Sequence, residues 1–316
     1  MKIVCTEPIG ISASLAKELT DEFSSKGHDF VFYDNRNENP QELVSRLSDA
    51  DVGIISNIPL RKEVLERCPK LKFIAVAFTG IDHIDTDYCK QKGIEIKNAS
   101  GYATQAVAEL AIGLMIDVYR RITFLDKQTR HSGTRNNFLG NQLSGKTVGV
   151  VGTGCIGTKV CALLKAFGCT VQAYSRSERQ EVKQIGVTYV PLATLMMTSD
   201  IITIHTPLTE NTFHLIGEAE LQMCKPSAVI INTARGAVVN QELLARYLNE
   251  DKIAAAGIDV FESEPPLPQT HPLLGAKNCV LVPHVGYATR EAFDIRIDIV
   301  MSNIREWLCR RTSTSA

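Results

Sequence analysis

No stretch of this sequence is long and apolar enough to read as a membrane span. The most apolar segment, AVAELAIGLMIDVY, is cut by Glu109 and Asp117 and falls short of the ~20 residues that a spanning helix needs. The opening MKIVCTEPIG has only a three-residue apolar run before Thr6 and Glu7, too short for the core of a signal peptide. Net charge is equally scarce. A formal charge of -1 supplies no basic field, which argues against sequence-independent binding to nucleic acid or to an anionic membrane. The nine cysteines include no CxxC or other metal-type spacing, and their odd number does not suit a disulfide framework. No metal site is expected, and a reducing compartment, the cytoplasm, fits such a chain. Repeats and low-complexity segments are also missing.

What is present is enough apolar material for two packed domains: 316 residues, 44% of them hydrophobic. Short β-branched runs (KIVC, DFVFYD, DVGIIS, KFIAVAF, IEIKNA) alternate with stretches of helical spacing such as SASLAKELTDEFSSKG and RKEVLERC. That alternation predicts a parallel sheet covered by helices. Near residue 100 the pattern changes to one long helix over 104–130, with Thr104 as its N-cap. A second series of strands follows: KTVGVVG, TVQAYS, DIITIHT, AVIINTA, IAAAGIDVF and CVLVPH. A last helix, EAFDIRIDIVMSNIREWL, comes after His284. The fold class is α/β, in two domains.

The segment VGVVGTGCIGTKV places Gly152, Gly154 and Gly157 in a GxGxxG turn between a strand and a helix. The first glycine allows the tight turn, the second lets backbone N–H groups approach a pyrophosphate, and the third lets helix and strand pack closely. The helix N-terminus then favours the negative phosphates. Cys155 inside this turn reads as a small loop filler rather than a redox group. About 20 residues beyond such a turn an NAD-binding chain usually carries an acid for the ribose 2′-hydroxyl. Here AYSRSER puts Ser175 and Arg176 at that place.

Three further segments, NTARGAVV with Arg235, GIDVFESEPP with Asp259 and Glu264, and VPHVG with His284, each have an unremarkable reading alone. Their shared placement after the carboxyl ends of expected strands is where open α/β sheets bind ligands. An arginine, a carboxylate and a histidine there could anchor an anion, orient an imidazole and move a proton.

With these motifs in this order the chain resembles the D-isomer-specific 2-hydroxyacid dehydrogenase family, which includes hydroxypyruvate and glyoxylate reductases, phosphoglycerate dehydrogenases and D-lactate dehydrogenases. AFTGIDHID resembles its substrate-carboxylate loop, ATQAVAELAIGLM the start of its interdomain helix, and HTPLTENTFHLI its cofactor-side loop. The resemblance implies a Rossmann NAD(P)-binding domain, about 100–283, inserted in a flavodoxin-like substrate domain, 1–99 with 284–316, and a site in a cleft that hinge motion could close. It implies that Arg235 holds the carboxylate and carbonyl oxygen of a 2-oxo acid, that His284 donates a proton to that oxygen, and that Glu264 hydrogen-bonds His284. Glu262 is the nearby alternative, but the Glu-Pro arrangement matches Glu264. Backbone N–H groups around Thr79 and Gly80 would bind the substrate carboxylate, and Asp259 would meet the nicotinamide amide. Thr104, Cys155, Ile156, Thr206, Pro207, Thr233, Ala234 and Gly286 would line the cofactor with the glycine turn.

Serine in place of the ribose acid removes repulsion of a 2′-phosphate, and Arg176, with Ser177 or Arg179, can meet its charge, so NADP(H) is expected over NAD(H). Hydroxypyruvate and glyoxylate are the first candidate substrates, with pyruvate and bulkier oxo acids behind. The apolar surface of the 104–130 helix suggests a homodimer. A phosphoglycerate dehydrogenase and a non-enzymatic nucleotide sensor related to corepressors are the alternatives. Only RRTSTSA follows the last helix, which favours the enzyme over the sensor and weakens the phosphoglycerate reading.

Overall fold

The structure, a computed structural model, describes residues 1–264 and 266–312, and counts refer to these residues. It divides into two compact units, Met1–Ala103 with the chain from Thr289 onward, and Thr104–Ala288. The cuts fall a few residues later than the expected 99/100 and 283/284, and the difference moves His284 into the second unit. Backbone bonds explain it. His284 N–H donates to Val282 O at 3.1 Å, and the N–H groups of Val285 and Gly286 donate to the Asp259 carboxylate, so this loop is tied to the second sheet.

The first unit is built on β1 (Lys2–Cys5), β2 (Asp29–Phe32), β3 (Val52–Ile55), β4 (Phe73–Val76) and β5 (Glu95–Asn98). They lie in the order β2-β1-β3-β4-β5, all parallel. This is the flavodoxin-like order. β3 and β4 are buried throughout, which is why they read as unbroken apolar runs, while β2 and β5 at the edges are partly exposed. The final helix, Arg290–Thr312, returns to this unit: Trp307, 1% exposed, stacks on Phe73 of β4 with ring centroids 5.2 Å apart. Truncating such a buried aromatic typically costs 3–5 kcal/mol, so this helix is integral to the unit that the first 103 residues begin.

The second unit carries β6 (Thr147–Val151), β7 (Thr170–Tyr174), β8 (Thr188–Tyr189), β9 (Ile201–Ile204), β10 (Val229–Asn232), β11 (Ala255–Ile258) and β12 (Cys279–Leu281). Their order is β12-β11-β10-β9-β6-β7-β8, again all parallel. The order reverses at β6, so the turn after β6 lies at the topological switch point where doubly wound sheets take ligands. Val148 and Val150 pack into the core on one face and Val151, Ile202, Ile204 and Ile230 into that on the other. β8 was absent from the sequence expectation because two residues carry no readable alternation.

The expected single helix over 104–130 is two, Thr104–Arg120 and Ile122–Arg130. Arg121 takes a left-handed φ of 51° between them, and Asp117 turns to accept the N–H of Thr123 at 2.8 Å. The first helix places Val107, Ala108, Ala111, Ile112, Leu114, Met115 and Tyr119 in its own unit's interior. Its apolar surface is thus used largely within its own unit, whereas Ile122–Arg130, the second part of the expected helix, buries none of its residues. Among the described residues no helix is long and apolar enough to cross a membrane, and no cluster of three metal-ligating side chains occurs.

Candidate active site

Two glycines of the turn after β6 have no room for a side chain. Gly152, at φ 95°, lies so close to β9 that a Cβ would sit 2.6 Å from His205 O, and a Cβ on Gly157 would collide with Gly152 O. Gly154, by contrast, faces open space. The helix Cys155–Ala166 begins there, with Cys155 exposed and its N-terminal N–H groups available to an anion. Buried, tightly closed glycines flank one open position, which fits a pyrophosphate. His205 under this turn is buried and neutral, its pKa pushed down to about 3 by desolvation, and its Nε2 meets Thr203 Oγ1 at 2.8 Å.

Ser175 is half-buried just beyond β7, and Arg176 is exposed without an acidic partner among the described residues. Arg179 differs: its guanidinium pairs with Glu181 at 3.2 Å, which leaves Arg176 as the available cation. Tyr189 of β8 joins this loop to the glycine turn, its hydroxyl accepting from Arg179 N–H at 3.0 Å and meeting Thr153 Oγ1 at 2.8 Å. No sequence signal marks Tyr189, because its partners lie 10 and 36 positions away.

Arg235 stands on a turn after β10 that Asn232 shapes. The buried Asn232 side chain accepts from Ala234 N–H and donates to Arg235 O, both at 3.0 Å, while an Arg235 Nη donates to Ala234 O at 2.8 Å. Buried Thr233 Oγ1 has no hydrogen-bond partner among the described residues, a donor left over for a ligand. Gly236 packs so closely against Phe261 that no Cβ fits, which presses the turn bearing Arg235 onto the segment after β11. Within that segment Asp259 is 1% exposed; its two oxygens accept from Val285 N–H at 2.7 Å and Gly286 N–H at 2.9 Å. Burial pushes its pKa up, and those two bonds oppose the shift. Asp259 is therefore a clamp on the histidine loop, a task its expected contact with a nicotinamide did not foretell.

The clamp holds His284 at a left-handed φ of 54°, a strained conformation for a non-glycine residue. Its Nδ1 lies 3.0 Å from Glu264 Oε2. Glu262, two positions earlier, goes to His214 instead, at 3.2 Å. Thr79 and Gly80 belong to the first unit, directly beyond β4 and Phe78, where Asn98 Nδ2 donates to Thr79 O at 2.6 Å. Thr206 and Pro207 follow β9, Thr104 opens its helix, Ile156 lies in the first turn of the helix after the glycine turn, and Gly286 abuts Asp259.

A seven-stranded parallel sheet reversing at a glycine turn, with an arginine, a glutamate and a histidine beyond its carboxyl edge, defines a dinucleotide-dependent oxidoreductase. Residues 112–286 match the family described as "D-isomer specific 2-hydroxyacid dehydrogenase, NAD binding domain". A glyoxylate reductase of Thermococcus litoralis is 42% identical over 81% of this chain and 79% of its own length. A hydroxypyruvate reductase of Blautia hydrogenotrophica is 32% identical over 85% of each. A solved acyclic imino acid reductase, in complex with NADPH and D-Arg, superposes with a TM-score of 0.87 at 29% identity, covering 98% of both chains. The chain belongs to the D-isomer specific 2-hydroxyacid dehydrogenase family. Its activity is NAD(P)-dependent oxidoreduction at the CH–OH group of 2-hydroxy acids.

Proposed function

We propose that this protein reduces hydroxypyruvate or glyoxylate to the D-2-hydroxy acid, preferring NADPH, with Arg235, Glu264 and His284 as its working side chains. The observation that carries the chemistry is the 3.0 Å contact between Glu264 and His284 Nδ1. A carboxylate accepting from Nδ1–H orients the ring, leaving Nε2–H to protonate the carbonyl oxygen of the oxo acid. Nicotinamide, when bound, supplies the hydride. Arg235 offers a planar fork of donors to the substrate carboxylate and carbonyl oxygen. Thr79 and Gly80 keep their reading as backbone donors to an oxo-acid carboxylate, and the first unit with them its reading as the substrate domain. The glycine turn, Thr104, Cys155, Ile156, Ser175, Arg176, Thr206, Pro207, Thr233, Ala234, Asp259 and Gly286 would line the cofactor.

NADPH preference rests on Ser175 and the unpaired charge of Arg176; the imino acid reductase that superposes on this chain was solved with NADPH. A homodimer is supported by the second part of the helix first considered. Ile122–Arg130 buries none of its residues, and Ile122, Phe124 and, beyond the helix, Leu139 are all exposed, Leu139 at 83%. A cytoplasmic setting agrees with nine thiols and no disulfide among the described residues, and the balanced charge suits a small-molecule partner rather than nucleic acid. The test is a panel of glyoxylate, hydroxypyruvate, pyruvate and 3-phosphohydroxypyruvate against NADH and NADPH. A catalytic efficiency for 3-phosphohydroxypyruvate far above that for hydroxypyruvate would reverse the substrate ranking. Tight nucleotide binding without turnover of any oxo acid would favour the nucleotide sensor.

A further inference from the structure

The segment that carries Glu264 also carries Glu262, and each is paired with a different histidine. Glu264 meets His284, whereas Glu262 Oε1 lies 3.2 Å from Nε2 of His214 and also accepts the backbone N–H of Gln241 at 3.2 Å. His214 has no part in the chemistry above. It stands at φ 49° near the end of the loop after β9, its N–H donates to Ala237 O at 2.7 Å, and its ring stacks on Phe213 at 4.0 Å. Three segments meet at this ring: the loop with Thr206 and Pro207, the turn following Arg235, and the stretch from Val260 to Glu264. Gln241 fastens the last of these further, donating from Nε2 to Val260 O at 2.9 Å and accepting Glu262 N–H at 3.2 Å.

The neighbours of His214 fix which of its ring nitrogens donates. Asn240 caps the helix Gln241–Asn249, its Oδ1 accepting from Leu243 N–H at 3.0 Å. With that oxygen committed, the Asn240 amide nitrogen is what faces His214 Nδ1, at 3.3 Å, and an amide N–H can only donate. Nδ1 is therefore the acceptor, the ring proton sits on Nε2, and Nε2–H donates to Glu262. A proton added at Nδ1 would point at the hydrogens of the amide. One segment thus supplies the carboxylates of two histidine pairs of opposite attachment, Glu262 on Nε2 of His214 and Glu264 on Nδ1 of His284.

We propose that His214 and Glu262 are positioning residues: His214, its ring orientation fixed by Asn240, holds Glu262 and so keeps Glu264, one residue beyond Ser263, against Nδ1 of His284. The proposal rests on the reading of His284 as proton donor. Glu264 and Asp259 face His284, with the Tyr287 ring edge-on at 5.5 Å, and among the described residues Glu262 faces His214, beside the Asn240 amide and the Phe213 ring.

Glu262→Ala, Glu262→Gln and His214→Leu in the full-length protein test it. Glu262→Ala should lower kcat for oxo-acid reduction about tenfold with the KM for NADPH changed less than about twofold. Glu262→Gln, whose amide oxygen still accepts from Nε2–H, should stay within about threefold of the parent, a rescue that loss of packing alone would not give. Nitrogen-15 shifts of the parent should show Nε2 protonated and Nδ1 bare on His214 at neutral pH. A parental kcat in Glu262→Ala, equal damage from Gln and Ala, or a proton on Nδ1 would each overturn the proposal. If Glu262→Ala does not fold, His214→Leu carries the same kinetic expectation. Parental turnover in His284→Ala would sink the underlying reading, whereas the tautomer measurement judges the His214 assignment by itself.

Discussion

His284 combines a strained backbone with a carboxylate on one ring nitrogen, and both features serve to aim the other nitrogen. Replacing it by alanine should lower turnover of the best oxo acid by about 10²–10⁴-fold, the usual worth of a positioned acid, while NADPH binding measured by its fluorescence changes little. Near-parental turnover would remove the proton-donor assignment. Arg235→Lys should instead raise the KM for the oxo acid, since a point charge replaces the fork. At the ribose position, Arg176→Ala should raise the KM for NADPH about tenfold and leave that for NADH nearly unchanged, one charge-assisted bond being worth roughly 1.5–3 kcal/mol. Ser175→Asp should turn the preference toward NADH. A parent that works better with NADH, and an Arg176→Ala variant that weakens both cofactors equally, would sink the NADPH reading.

Elements are held in place by groups that sequence spacing does not join. In the first unit Arg305, on the last helix, donates through two nitrogens to both oxygens of Glu22 on the helix Ala13–Ser25, at 2.9 and 2.7 Å. These bonds, with one from Lys26, hold the Glu22 carboxyl at a pKa of about 2. A carboxylate depressed in the folded state contributes stability that is present above its unfolded pKa and lost as pH falls through the folded one. Glu22→Gln should therefore lower the melting temperature near neutral pH, by the equivalent of roughly 1 kcal/mol after solvent screening, and the gap should narrow below about pH 4.5 and close toward pH 2. A gap of constant size across that window would show that the pair contributes nothing electrostatic. In the second unit, Gly157→Ala should lower affinity for NADPH at least about tenfold, because the helix must retreat from Gly152 and its N–H groups leave the pyrophosphate.

For the whole molecule, the exposed apolar side chains of Ile122, Phe124 and Leu139 argue for a second copy over that face. Light scattering at micromolar concentration should give about twice the chain mass of 34.8 kDa, and Phe124→Glu should reduce it toward one chain. A mass near 34.8 kDa for the parent would count against the dimer.

The strands were legible because parallel strands buried on both faces must be apolar throughout: VGVV, IITI and VIIN announce β6, β9 and β10 wherever they occur. The glycine turn was legible for a similar reason, since its backbone geometry excludes every other residue at Gly152 and Gly157. The place of Ser175 just beyond β7 was equally readable, being fixed by its distance along the chain from that turn. The break at Arg121 was not, because the apolar spacing runs across it and only the capture of Thr123 by Asp117 turns the chain. Nor was the assignment of His284 to the second unit, which depends on Asp259 gripping two N–H groups 26 and 27 residues away. The sequence by itself determined which residues could do the chemistry, through local backbone requirements and their order along the chain. The Glu-Pro arrangement already pointed to Glu264 as the partner of His284, whereas only the tertiary structure decided that Glu262, chemically alike and two positions earlier, goes to a histidine of its own. Their partners, His214 and His284, are brought to them by different strand ends.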